Sequence, residues 1–545
     1  MLKSSCLKHY MKQFLIQQFK FISKINYKLF TGTIFLIIIS LWIPSYFDHN
    51  YNISYDSYEA LYFVAPYKIN NVNMLGENGD QTAVRTYNRV GHSAIINIFG
   101  VAMSNFSISE IIYSNKIINR ILFASIVINI FYLLLKLTNN FRTSIFSALS
   151  FILIASNIFY TNVILSDIWS LWLLSIILVL VFIIRENTKL NNDKNLSYVQ
   201  ISLIVLSSIL TLFRFEYLFF ILLLYFQQFI SKKNILTIIL FSFILNIIGL
   251  FTLNGPSWFI FRLISIDLLM DDIIVFSVVL CSIFILKSFY VKNALKFLIL
   301  LMLGLLVFYF STNLNDEKNH LMLFLVNSYG LLIIIAIEIF LSLKNASYKL
   351  LNMKPFIFFV TSLILTLTIY HTFYLQHLSI LYFFAVITLG IFLTKSINLY
   401  KLSLYILILV TSFLFSWSNF YLDLKLDIAQ IMATNIPQSF INIGENKSNI
   451  TIYSYFPIAT YIYSNQSSRY IGGDMKNICD IGETVFEKNL LVITFKEILD
   501  TCSIFKSHEL ISMESNPTNI LYNVRYDNIS SDGFKRMYYY LFSKK

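Results

Sequence analysis

Long apolar runs alternate with short polar connectors along the chain up to residue 420, and the pattern then changes. A helix that crosses the hydrocarbon core of a bilayer needs about 20 mostly apolar residues. Runs of roughly that character occupy 29–47, 117–137, 144–160, 163–184, 199–213, 215–230, 235–253, 273–290, 294–312, 321–343, 355–371, 376–394 and 401–419. They are continuous rather than alternating, which predicts membrane helices and not barrel strands. Residues 199–230 form one apolar stretch interrupted by Arg214, Phe215 and Glu216. Two charges at mid-membrane depth are costly, so the stretch reads as two helices with the charges at their junction. Residues 48–116 form a long polar loop directly after the first run.

From 421 onward short apolar stretches are separated by turn residues. NITIYSY (449–455), NLLVITF (489–495) and ILYNVRYD (520–527) read as strands, with the helix-like pieces PIATYIYSN and KEILDTC between them. A small α/β domain over 421–545 follows from that pattern. Cys479 and Cys502 are the only cysteines in it. In an oxidising compartment they are a candidate pair; two unpaired buried thiols are the alternative.

Composition narrows the class. Hydrophobic residues make up 57% of the 545 and charged residues 13%, against about 25% charged in a soluble domain. Mean hydropathy is +0.68. These values exclude a soluble globular chain, intrinsic disorder, collagen and coiled coil. The expected fold class is an α-helical polytopic membrane protein of about 13 transmembrane helices, with a small C-terminal α/β extracytoplasmic domain.

The net charge of +12 is accounted for by the membrane without nucleic acid. Six lysines and no acid occupy residues 1–28, which reads as a cytoplasmic basic tail followed by a retained first helix, with no cleavable signal peptide. With the N-terminus in the cytoplasm, the inside segments hold 21 of the 41 Lys and Arg but three of the 29 acids, Glu186, Asp193 and Glu338. The positive-inside rule supports that layout. It places the transmembrane domain at 29–420, including the outside loop 48–116, and leaves the tail 421–545 outside.

Candidate chemistry lies in four outside places. In SYDSYEALYF, Asp56 and Glu59 are three apart and share a face if helical; a carboxylate there suits a general base on an incoming hydroxyl, or is an ordinary solvated acid. In TAVRTYNRVGHSAIINIFG, Arg85 and Arg89 are four apart and His92 follows a glycine. Arginine pairs suit phosphate, whether of a substrate or of lipid headgroups. Asp167, in FYTNVILSDIW, and Arg214 with Glu216, in TLFRFEYLFF, fall near outer helix ends; a functional carboxylate and a structural Asp167–Arg214 ion pair are both open. In STNLNDEKNHLMLF, Lys318 and His320 are candidates for neutralising a phosphate beside Asp316 and Glu317, and a solvated loop is the alternative. No Walker A, HExxH, GxSxG or dinucleotide fingerprint occurs.

The order of these motifs resembles the GT-C membrane glycosyltransferases, in particular the bacterial branch related to protein O-mannosyltransferases and lipid A aminoarabinose transferases. The resemblance covers most of the chain. It rests on a first helix followed by an outside loop with an early acid (YDSYEALY), then GHSAIINIFG, then NKIINRIL opening the second helix. FYTNVILSD, FRFEYLFFILL and DEKNHLMLFLVNSYGLLI follow in family order. Against the family pattern, Asp56 and Glu59 are separated, and Ser93 and Phe215 stand where proline is usual.

The resemblance implies a glycosyltransferase that moves a sugar from a polyprenyl-phosphate donor to an acceptor hydroxyl. It implies Asp56 as base with Glu59 nearby, and Arg214 and Lys318, backed by Arg85 and Arg89, as donor-phosphate ligands. Asp167, Glu216, His92 and His320 are then candidates for substrate or metal binding. No cofactor is required by it, and a divalent cation stays open. The implied partners are the lipid-linked donor, a lipid, glycan or protein acceptor, and membrane lipids. The implied location is a bacterial inner membrane. Competing readings are a transporter or flippase of polyprenyl-linked glycans and a polysaccharide polymerase or ligase.

Overall fold

The computed structural model describes residues 27–48, 108–163, 166–189, 193–214, 216–252, 328–335, 337–338, 358–359, 362, 366, 378–393, 398–418, 432–437, 450–454, 460, 468–470, 489–496, 508–515, 521–524 and 533–544. The expected helices over 273–290 and 294–312, most of 355–371, and residues 49–107 of the expected loop 48–116 lie outside those residues; the last nine residues of that loop, 108–116, are helical instead.

The described helices are α1 (Tyr27–Tyr46), α2 (Ile108–Thr138), α3 (Phe141–Ile152), α4 (Ala155–Thr161), α5 (Ser166–Lys189), α6 (Asp193–Phe213), α7 (Tyr217–Phe226), α8 (Lys232–Thr252), α9 (Leu378–Phe392) and α10 (Leu399–Ser416). Among the described residues α1, Tyr113–Thr138 of α2 and α10 are each long and apolar enough to cross a membrane, and α3 and α4 are so only when taken together across their bend.

Side-chain bonds fix the directions of neighbouring helices. Trp172 Nε1 donates to Ser125 Oγ at 3.0 Å and Asn129 Nδ2 to Ser175 Oγ at 2.8 Å, so α2 and α5 run parallel. Ser208 Oγ donates to the Ile238 carbonyl at 3.3 Å and Asn246 Nδ2 reaches Thr211 Oγ1 at 3.5 Å, so α6 and α8 also run parallel. The short α7 between them therefore returns across the bundle. The reversal falls at Arg214–Glu216, as expected from the two charges there. Ten residues of α7 rise about 15 Å, half the ~30 Å hydrocarbon thickness. The expected 215–230 helix is thus shorter than a full span.

The expected single helix over 144–160 needs a correction. It breaks between α3 and α4 with a 64° bend. No proline or glycine lies at the break. Instead Asn157 Nδ2 donates to the Phe151 carbonyl at 2.9 Å, which satisfies a group that the interrupted ladder sets free. At its start α3 is capped by Asn140, whose side chain accepts from the Arg142 and Thr143 amides at 3.0 and 3.3 Å.

Packing relies on close approach, because lipid removes most of the hydrophobic drive between helices. Along α1 the buried positions are Gly32, Leu36, Ser40 and Pro44, one every four residues, and Gly32 lies against Phe141 and Ile145. In α9, a Cβ on Gly390 would lie 2.7 Å from Leu134 Cδ1 and collide with Ser147 Oγ. Aromatic rings fill the interior: Phe220 stacks on Phe384 at 5.1 Å, and Phe358 meets Phe359 edge-on at 5.2 Å. The outward faces are apolar too. Phe30, Phe35, Ile38 and Trp42 on α1 and Leu236, Leu240, Phe243 and Ile248 on α8 are all exposed. Faces of that kind belong in lipid, and the chain is a helical membrane protein.

The tail forms a six-stranded mixed sheet among the described residues: β1 (Ile450–Ser454), β2 (Ser468–Tyr470), β3 (Asn489–Phe495), β4 (His508–Ser515), β5 (Leu521–Val524) and β6 (Gly533–Lys544). The order is β2-β1-β3-β6-β4, with β5 also on β6. β1 pairs in parallel with β2 and β3, and β6 is antiparallel to its three partners. The three stretches read as strands fall on β1, β3 and β5. Tyr539 of β6 is buried, and its hydroxyl donates to the Met432 carbonyl at 2.8 Å.

Candidate active site at one end of the helix bundle

The two ends of the bundle differ in charge. Lys28, Lys136, Arg142, Lys232, Lys233 and Lys401 lie at the end where α1 begins. Asp48, Lys116, Arg120, Asp167, Arg214 and Glu216 lie at the end where α1 stops.

At that second end α5 starts with Ser166 and Asp167. A carboxylate in a first helical turn is favoured by the helix dipole. Arg214 directly follows the last residue of α6, and its N–H still donates to the Leu210 carbonyl at 3.2 Å. The reversal brings its guanidinium back over α5. There Nη2 donates to Asp167 Oδ2 at 2.8 Å and lies 2.7 Å from Oδ1. The side chains are 3% and 10% exposed, so this is a buried pair, in which each charge depends on the other for its solvation. Glu216 is also buried. Tyr217, fully buried at the start of α7, lies within electrostatic reach of Asp167, Arg214 and Glu216 and beside Ser170. Residues 47 apart in sequence thus meet in a single polar cluster, and the ion pair left open by the sequence is formed.

A second cluster at the same end joins Lys116 and Arg120, both in the NKIINRIL stretch that the motif order includes, to an acid that the sequence did not single out. Lys116 Nζ donates to Asp48 Oδ1 at 2.8 Å, and Arg120 Nη2 to Asp48 Oδ2 at 2.6 Å. Arg120 also donates from Nε to Asn162 Oδ1 at 2.9 Å and from Nη1 to Ser45 Oγ at 3.2 Å. Asn162 Nδ2 donates to the Pro44 carbonyl at 2.8 Å, and Asn119 Nδ2 to the Val163 carbonyl at 2.9 Å. Partial burial of Asp48 by itself raises its pKa, but the two cations outweigh that and hold it below its ordinary 3.8. A carboxyl with a depressed folded pKa contributes stability that is present above the unfolded value and lost as pH falls through the folded one. The Asp48 contacts therefore persist at neutral pH and fail only in strong acid. The signal in the sequence was a Lys and an Arg four apart on one face of α2, with one acid just past the end of α1.

At the opposite end Glu338 is buried and accepts from Lys401 Nζ at 2.7 Å and from the Tyr405 hydroxyl. That contact joins the segment around 328–338 to the start of α10.

Asp56, Glu59, Arg85, Arg89, His92, Lys318 and His320 lie outside the described residues. Among the described residues no group of three or more His, Cys, Asp or Glu side chains gathers as metal ligands. Both Asp167 oxygens face the Arg214 guanidinium.

No family model matches the chain, and no curated protein matches it. Solved structures do. An Archaeoglobus fulgidus oligosaccharyltransferase in the apo form aligns over 94% of this chain and 74% of its own, at 9% identity and TM-score 0.49. The same enzyme in complex with Zn and sulfate aligns over 92% and 72%, at 10% identity and TM-score 0.47. ArnT from Cupriavidus metallidurans in the apo state aligns over 94% and 97%, at 10% identity and TM-score 0.37. At these identities and scores they assign no activity, donor or residue role to this chain.

Proposed function

We propose that the chain is an integral-membrane glycosyltransferase that moves a sugar from a polyprenyl-phosphate donor to an acceptor hydroxyl on the extracytoplasmic side. In this reading the N-terminus is cytoplasmic, the membrane is a bacterial inner membrane, and 421–545 is an extracytoplasmic domain. The observation that carries the reading is the buried Asp167–Arg214 pair beside Glu216. Buried charge is costly, and this cluster lies at the bundle end away from Lys28, Lys136, Arg142, Lys232, Lys233 and Lys401, the end that the positive-inside rule assigns to the outer surface.

The chemistry runs as follows. Asp56 takes the proton of the acceptor hydroxyl as its oxygen attacks the anomeric carbon. The bond from that carbon to the phosphate oxygen breaks, and the electron pair leaves with polyprenyl phosphate. Negative charge grows on the phosphate, so fixed cations there lower the barrier. Arg214 and Lys318 supply that charge, with Arg85 and Arg89 behind them. Asp167 holds the Arg214 guanidinium in place until the donor phosphate shares it. Glu59, Glu216, His92 and His320 line the sugar and acceptor. No step requires a divalent cation.

The test uses purified protein in lipid nanodiscs with a panel of polyprenyl-phosphate sugars and a membrane-glycan acceptor. Release of polyprenyl phosphate is expected to depend on the sugar and to fall at least about 100-fold in Asp56→Asn, the scale of a lost general base. No release with any donor, from folded protein and competent acceptor, would reject the reading in favour of transport.

A further inference from the structure

The cluster around Asp48 has no role in the chemistry above, and its geometry is more than a surface ion pair. Three separate pieces of backbone converge on it. Asp48 stands two residues past the end of α1, Lys116 and Arg120 lie in the third and fourth turns of α2, and Asn162 ends α4 five residues before Asp167. Every strong group in it is satisfied by another element. Each carboxylate oxygen of Asp48 takes one cation. Arg120 divides its donors among Asp48, Asn162 and Ser45. Asn162 uses its oxygen on α2 and its amide on the α1 carbonyl of Pro44.

Lys116 and Arg120 are 7% and 11% exposed. Four apart on one helix face, they repel unless an anion lies between them. Asp48 is that anion. Immediately beyond it begins the segment that carries Asp56, and α2 re-enters at its other end.

We propose that Asp48, Lys116, Arg120 and Asn162 are positioning residues: together they lock the exit of α1, the entry of α2 and the α4–α5 connection at one point, and so fix the start of the Asp56 segment relative to Asp167. The inference rests on the glycosyltransferase reading for its effect on turnover, but the lock itself does not. Misplacing a reacting group by about 1 Å costs on the order of 100-fold in rate. A loosened lock is therefore expected to lower kcat through the placement of Asp56, with donor KM little changed.

The experiment compares wild type, Asp48→Asn and Asp48→Glu in lipid nanodiscs with two readouts. The first is backbone hydrogen exchange in peptides covering 42–60 and 108–124, with 170–180 as internal control. Asp48→Asn is expected to speed exchange at both loop ends at least about threefold and to leave the control unchanged. Asp48→Glu is expected to restore protection. The second readout is turnover of the polyprenyl-phosphate donor. In Asp48→Asn kcat is expected to fall about tenfold or more with donor KM within about twofold, and Asp48→Glu to recover most of it.

Unchanged exchange at the loop ends in Asp48→Asn would overturn the lock. So would a raised donor KM at constant kcat in Arg120→Lys, which would make Arg120 a donor ligand. If wild type turns over no donor, the glycosyltransferase reading falls, and the exchange readout still decides the lock. Should Asp48→Asn fail to assemble, Lys116→Gln, which keeps the Arg120 contact, is read by the same two measurements.

Discussion

Arg214 and Asp167 hold each other in a setting where neither has water to fall back on. Removing a single partner of such a pair strands the other charge, at a cost of about 3–5 kcal/mol, whereas removing both by neutral isosteres costs far less. Arg214→Gln and Asp167→Asn are each expected to lower the unfolding midpoint in detergent sharply. The double variant is expected to be clearly more stable than the sum of the two predicts, with a coupling of about 1–3 kcal/mol. Additive losses would show that the two charges are stabilised by other groups. Turnover separates the roles further: Asp167→Asn keeps the guanidinium, so Arg214→Gln should be the more damaging to donor use. The residues of this pair were legible because charge is scarce in an apolar chain and these charges interrupt membrane runs. Their pairing was legible only as one of two alternatives, since a sequence does not say which way a helix reversal turns its side chains. The Asp48 cluster was hidden for a different reason. Asp48 looks like any first polar residue after a membrane helix, and only the packing of α1 against α2 brings two cations to it.

At the scale of elements, the described helices fall where the apolar runs do, and the exceptions are the places where side chains compete with backbone. The break between α3 and α4 has no proline or glycine to announce it; the bond from Asn157 to the Phe151 carbonyl depends on a fold that local sequence does not display. The shortness of α7 was hidden as well, because Gln227–Ile230 are as compatible with a helix as with its end. Gln228 there adopts φ 63°, and the Phe229 and Gln228 amides close back on the Leu224 and Tyr225 carbonyls at 2.9 and 2.8 Å. That is the pairing of a helix C-terminal Schellman turn, made by a residue that composition alone would not choose.

Close helix approach gives the firmest expectation at this scale. Gly390 is the point where α9 touches both Leu134 of α2 and Ser147 of α3. Leu134 is fully buried, as is Ser147, so neither can swing into open space. Gly390→Ala gains helix propensity of about 1 kcal/mol, but overpacking typically costs about 1–3 kcal/mol. The net expected effect is destabilisation, read as a lower thermal midpoint in detergent, and Ser147→Ala in the same chain should recover part of it by removing the colliding hydroxyl. A raised midpoint for Gly390→Ala alone would mean that α9 sits farther from α3 than the structure has it.

For the whole molecule the decisive asymmetry is charge between the two ends of the bundle. Lysines and arginines in short loops stay on the cytoplasmic side because translocating them is costly, whereas acids weigh little in the decision. The loops assigned to the inside carry 21 basic residues and three acids, and the described helices alternate in the directions that assignment requires. The parallel pairs α2 with α5 and α6 with α8 fix those directions independently of any charge count. Orientation in the membrane then reduces to a single binary outcome. Tyr27 and Tyr400 are exposed at the basic end and Tyr113 at the end that holds Asp167. In a chain whose cysteines at 6, 281, 479 and 502 are replaced by serine, single Tyr27→Cys, Tyr400→Cys and Tyr113→Cys variants can be exposed to a membrane-impermeant maleimide in intact spheroplasts. Tyr113→Cys is expected to label at once, and the other two only after the membrane is opened. The reverse pattern would put the Asp167–Arg214 cluster on the cytoplasmic side. A donor sugar presented at the outer surface would then have no route to it, and the proposed reaction would have to be abandoned whatever the bundle's fold. Labelling of all three without opening the membrane would mean that the helices between Tyr27 and Tyr113 do not span it, against the lengths of α1 and α2. The expected pattern is the arrangement in which the loop charge and an outward-facing Asp167–Arg214 cluster agree.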